Sequence, residues 1–263
     1  MKRMKELIDA LHLEDLRNEK HPSIFDDNEM YNMLITRIPL VGEEFSSISL
    51  GFIVTEQKSY FYNKEKQTFE ELETKYMGLY TLVNKHTDKL LKSFLKYPDI
   101  ISDMEEDLYA NNVDKNFLHK WLGVKLEILK IERVLHRTTN AMEEFIEFYK
   151  DIEDFPMNHF VDIHEHLERV MRSATLQLSK LDYLYSFYNA KSNDKMNKMI
   201  YILTIISAIF LPLNLIVGFF GMNTTSLPFS SGNFGTHYVV TIMLSLIIIT
   251  SVIVQIRRKK VER

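Results

Sequence analysis

The residues of this chain that could do chemistry in its C-terminal third are neutral. From Met199 to Ile256 there are 58 consecutive positions without Asp, Glu, Lys or Arg, although 26% of the chain is charged. Asn197, Thr204, Leu211, Asn214 and Gly218 recur there at steps of seven, seven, three and four, which is one face of a helix. The run then reaches Gly221-Met222-Asn223. In a bilayer, polar groups such as Asn197, Thr204, Ser207 and Asn214 must face protein or water. Several copies around an axis would line a narrow pore with amides, apolar rings and a glycine. The same residues could instead fasten two spans together, since small polar side chains commonly do so.

A second group is ionisable. His159, Asp162 and His166 stand at i, i+3 and i+7 on one helical face, with His164 and Glu165 beside them. Imidazoles there would suit zinc, nickel or cobalt better than magnesium; the alternative is a solvated helix face. His164-Glu165-His166 lacks the H-E-x-x-H spacing of a zinc protease. The acidic runs 103–107 and 143–147 could bind cations between copies or be ordinary solvated faces. The chain has no cysteine, which removes disulfides, thiolate metal sites and cysteine nucleophiles. No glycine-rich phosphate loop or catalytic triad is present, so no enzymatic role is expected.

These residues must be positioned by membrane helices. Met199–Phe220 would span about 33 Å and His237–Ile256 about 30 Å at ~1.5 Å per residue, close to the hydrocarbon thickness. Gly221–Thr236, rich in Gly, Ser, Thr and Asn, reads as the exposed turn of a hairpin. Lys191, Lys195 and Lys198 precede the first run, and Arg257-Arg258-Lys259-Lys260 follows the second. Basic flanks at both ends predict cytoplasmic termini and an outside loop. Residues 1–198 hold 27 basic and 35 acidic residues, a net charge of −8 that disfavours nucleic acid and attracts cations.

Ahead of the membrane, Met33–Pro39, Ser47–Thr55 and Ser59–Tyr62 read as strands of a small sheet. Helical spacing is expected over Phe69–Tyr97, Asp99–Asn111 and from an Asp114 cap to about Tyr149. In the last of these, Phe117, Leu118, Trp121, Leu122, Leu126, Leu129 and Val134 are expected on one side. Pro156 opens the longest segment, whose seam is Phe160, Leu167, Val170, Ala174, Leu178, Leu181, Leu184 and Tyr188. The expected fold class is α+β: an N-terminal sheet with long helices, a stalk helix, and a two-span hairpin. The divisions are a head over 1–155, a stalk over 156–198, spans over 199–220 and 237–256, the 221–236 loop and a basic tail over 257–263.

Asn197–Thr204, Phe210-Leu211-Pro212-Leu213 and Gly218-Phe219-Phe220-Gly221-Met222-Asn223 resemble, in register, the signature of CorA-type divalent metal-ion transporters. That signature runs N-x-x-M-K-x-L-T, F-x-P-L-T and G-I-Y-G-M-N. Phe160-Val161-Asp162-Ile163-His164-Glu165-His166 is similar to the family's F-R-D-V-Y-D-H. The resemblance is specific over Pro156–Asn223 and the second span, and architectural over 1–155.

The resemblance implies a funnel-shaped homopentamer in the cell's cytoplasmic membrane, with the first span around a fivefold axis. Gly221, Met222 and Asn223 match the selectivity filter. Gly218, Asn214, Leu211, Thr204, Leu203, Ile200 and Asn197 match pore-facing positions, and Asp162 matches an acidic residue between neighbouring head domains that binds regulatory divalent cation. A ring of Asn223 amides would hydrogen-bond the water shell of Mg²⁺, which dehydrates reluctantly, without trapping the ion as carboxylates would. Leu203, Leu211 and Ile200 would form dry collars. The membrane potential supplies about 4.6 kcal/mol per 100 mV to a divalent ion.

Four positions depart from the family pattern. Phe220 replaces its tyrosine, Asn214 its threonine, and Ser186 a stalk aspartate carried by many members. The loop Thr224–Phe229 lacks the frequent glutamate, as do zinc-handling relatives. The expected function is Mg²⁺ passage, with Co²⁺ or Ni²⁺ also carried. A Zn²⁺ transporter of the same build, or a non-conducting membrane-anchored sensor or scaffold, are the alternatives.

Overall fold

The computed structural model describes residues 7–42, 45–110, 116–222, 228 and 234–261. The chain forms two compact units, Met1–Ser186 and Phe187–Arg263.

The first unit is built on an antiparallel meander of five strands in sequential order. These are β1 (Ile24–Asp27), β2 (Asn32–Leu40), β3 (Ser46–Val54), β4 (Ser59–Asn63) and β5 (Thr68–Glu71). Its registers pair Leu34 with Phe52, Phe52 with Phe61, and Tyr62 with Phe69. Most of β2 and the second half of β3 are buried. Helix α1 (Ala10–Arg17), capped by the Asp9 carboxylate on Leu11 N–H, lays Leu16 against the sheet. Gly51 makes that approach possible: a Cβ there would stand 2.5 Å from Leu16 Cδ2.

Four more helices follow in order. α2 (Met77–Phe94) and α3 (Lys96–Tyr109) are short; α4 (Phe117–Tyr149) and α5 (Met157–Phe220) are long. α4 packs on β2, where Thr138 Oγ1 donates to Arg37 O at 2.7 Å and Asn32 Nδ2 to Tyr149 Oη at 2.7 Å. The end of α4 and the start of α5 meet in an aromatic cluster. Phe145, Tyr149, Phe155 and Phe160 stack there, with Tyr76 against both Tyr149 and Phe155. The buried seam of α5 runs Phe160, Ile163, Leu167, Val170, Ala174, Gln177, Leu178, Leu181, Leu184.

Three local expectations are corrected. The segment starting at Phe69 begins as β5, and the helix starts at Met77: Phe69 is buried beside Tyr62, and the connecting turn places Gln67 at φ 52°. β1 joins the sheet antiparallel to β2, a strand absent from the sequence expectation. Phe117 is buried as expected, but Leu118, Leu122 and Leu126 are 43–47% exposed, and the buried stripe of α4 continues through Ile128, Ile131 and Leu135. Asp114, the expected cap, lies outside the described residues.

The second unit contains the rest of α5 and α6 (Gly235–Val261). Both helices are long and apolar enough to cross a membrane.

Candidate functional site

The candidate conduction face lies on α5. At about 100° per residue, Asn197, Ile200, Leu203, Thr204, Leu211, Asn214 and Gly218 occupy an arc of about 120°. All seven are exposed on the single chain. In water such an apolar surface would be unfavourable; beside lipid, α6 or further copies of the chain it is expected. The Thr204 hydroxyl donates to Ile200 O at 2.8 Å, so its proton is satisfied on its own helix and its oxygen stays available as an acceptor. Pro212 lies inside the helix. Its missing N–H withdraws the ladder donor from the Ala208 carbonyl, leaving a second neutral oxygen within the apolar run.

The helix ends at the signature triplet. Gly221 N–H donates to Val217 O at 2.8 Å and Met222 N–H to Phe219 O at 3.4 Å. A Cβ on residue 221 would stand 2.9 Å from the Val217 carbonyl oxygen, a backbone atom with no rotamer to escape into. The glycine is therefore set by the turn itself. Gly218 has open space where a Cβ would be, so close packing within the chain does not require it. Asn223 lies outside the described residues.

The ionisable group resolves unevenly. Asp162 and His166 come together, with Oδ1 and Nε2 3.6 Å apart. His159 instead sets its ring edge-on to Tyr80, with centroids 5.0 Å apart. Asp162 is half exposed and His166 largely covered. His166 Nδ1 is buried with no hydrogen-bond partner among the described residues. No group of three His, Asp or Glu side chains among the described residues could hold a metal ion within one chain. Most of the acidic run on α3, including Asp103, Glu106 and Asp107, is exposed, as are Glu143, Glu144 and Glu147 on α4.

Sequence reasoning missed one tertiary cluster. Trp121 Nε1–H donates to the Leu181 carbonyl at 2.8 Å, and Lys125 pairs with Asp182. The only signal was a lone tryptophan followed four residues later by lysine.

Residues 53–258 match the model of the family described as CorA-like Mg2+ transporter protein. The chain belongs to this family. The cobalt/magnesium transport protein CorA of Methanocaldococcus jannaschii is 24% identical over 256 residues, which is 89% of this chain and 78% of that protein. The CorA of Thermotoga maritima is 23% identical over 186 residues, 69% of this chain. The chain matches about half of that protein's length, 51%. The zinc transport protein ZntB of Vibrio parahaemolyticus is 21% identical over 151 residues, covering 57% of this chain and 47% of that protein.

Among solved structures, the complete CorA magnesium transporter from M. jannaschii superposes with a TM-score of 0.74 at 19% identity, covering 95% of this chain and 84% of that one. The full-length CmaX protein gives 0.65 at 16% identity, covering 93% and 82%. The fold is thus that of CorA: a small antiparallel sheet, long helices and two apolar C-terminal helices.

Proposed function

We propose that the chain conducts hydrated divalent cations, Mg²⁺ foremost and Co²⁺ or Ni²⁺ as well, across the cytoplasmic membrane as a homopentamer. The observation that carries this reading is the arc on α5. Amide and hydroxyl groups, a glycine and three large aliphatic side chains share one face of a charge-free helix that ends in Gly-Met-Asn. Five such faces around an axis leave neutral oxygens for the water shell and apolar collars between them. The Asn223 amides would meet the ion at the outer mouth, with both chain termini cytoplasmic. Such weak, successive sites favour passage over capture.

Asp162 and neighbouring carboxylates, from two copies together, would bind regulatory cation between heads. That the described residues of one chain offer no three-ligand group supports a shared site over an internal one. His159 and His166 would contribute little to it, the first being engaged with Tyr80.

A second reading is zinc transport by the same build. The likeness to ZntB supports it, and so does a 221–236 loop without any acidic residue. Flux into liposomes carrying the purified chain, with Mg²⁺ and Zn²⁺ compared side by side, separates the two. Magnesium uptake exceeding zinc uptake is expected. Preference for zinc would install the second reading, and indifference to both metals would remove each.

A further inference from the structure

Trp121 is the chain's single tryptophan, and it is tied to the last buried turn of α5. Its Nε1–H donates to Leu181 O at 2.8 Å. That carbonyl also belongs to the α5 ladder, where Tyr185 N–H is its regular donor, so it accepts from two directions. The indole lies nearly flat on Tyr185, with centroids 4.7 Å apart and an interplanar angle of 21°. One turn along α4, Lys125 holds its Nζ 5.0 Å from the indole centroid and pairs with Asp182. Leu181 and Leu184 are the last buried residues of α5. No described residue of α5 beyond this turn is buried.

We propose that Trp121 is a latch that holds α5 at the turn 181–185 in the non-conducting state and lets go when the channel opens. This deepens the transport reading and rests on it. Between Met157 and Leu211, α5 contains neither Gly nor Pro. The same helix continues to Asn197, 16 residues on, with neither residue in between.

The contacts suit a reversible switch. On release, the Leu181 carbonyl keeps its ladder donor and the indole N–H can turn to water, so no buried polar group is stranded. The Lys125–Asp182 pair is also cheap to open, because Asp182 is 61% exposed. Trp121→Phe keeps a ring for Tyr185 but removes the donor, together with part of the stacked area.

The test uses the full-length chain in vesicles, with Mg²⁺ on the head side stepped from chelator to millimolar. Wild-type tryptophan emission should be shielded from acrylamide in Mg²⁺, then red-shifted and more quenchable without it. Lys125→Met should raise the Mg²⁺ concentration at which the emission changes by up to about fivefold, the range of one exposed ion pair. Trp121→Phe should raise the Mg²⁺ concentration that half-inhibits flux about fivefold, the factor that one hydrogen bond supplies. Should the Phe variant lose its helical circular dichroism, Asp182→Asn takes its place in the flux assay. Emission indifferent to Mg²⁺, or variants with wild-type inhibition in vesicles where the wild type conducts, would overturn the latch alone. A wild-type chain that passes neither Mg²⁺ nor Zn²⁺ would overturn the transport reading, and the latch with it.

Discussion

At the scale of single residues, the triplet combines two different constraints. The Gly221 constraint is steric and lies within the chain: its N–H closes on Val217 O, and a side chain would meet that same oxygen at 2.9 Å. The Asn223 constraint is chemical and belongs to the proposed assembly. Gly221→Ala should therefore shift the end of α5 at a cost of about 1–3 kcal/mol, the usual range for overpacking a filled site. Magnesium flux should fall severalfold while the head keeps its thermal transition. Wild-type flux from this variant would show that the turn tolerates a Cβ and that the filter does not depend on it. The charge-free run and the triplet were readable because loss of charge and fixed spacing are properties of the sequence itself. The unequal fates of His159 and His166 were not. Equal spacing on one face says nothing about Tyr80, which arrives from another helix and takes His159.

At the scale of elements, long helices announced themselves and short strands did not. The seam of α5 is buried at seven of its eight expected positions, Tyr188 being half-buried. A period repeated over eight turns outweighs any single residue. β1 and β5 have four residues each, too few for alternation to stand out from a neighbouring helical period. Pairing with β4 decided Phe69, a choice that local propensity could not make. The exposed leucines of α4 have a similar cause. Trp121 and Lys125 reach α5 and so fix the rotation of α4, turning Leu118, Leu122 and Leu126 outward.

On α5 itself, Asp162 is half exposed and pairs with His166. A carboxylate shared between copies would tie heads together only while divalent cation is bound. Asp162→Lys should weaken the protection against proteolysis that millimolar Mg²⁺ gives to the full-length chain. Undiminished protection would take the regulatory role away from this residue.

At the scale of the whole molecule, the family match and the shared fold say what kind of machine this is. Which divalent ion it would carry depends, in the proposed reading, on chemistry that several copies perform together. A single α5 presents one arc of neutral groups, and a hairpin of two spans cannot enclose water. In the proposed reading conduction therefore requires assembly, and the amide of Asn223 would act as a ring. The decisive measurement is magnesium uptake into liposomes under an inside-negative potential, comparing wild type with Asn223→Ala at equal pentamer content by light scattering. The account predicts uptake by the wild type, and uptake no faster than in protein-free vesicles for a variant that still assembles. Unimpaired uptake by assembled Asn223→Ala, or a wild-type chain that stays monomeric, would contradict it.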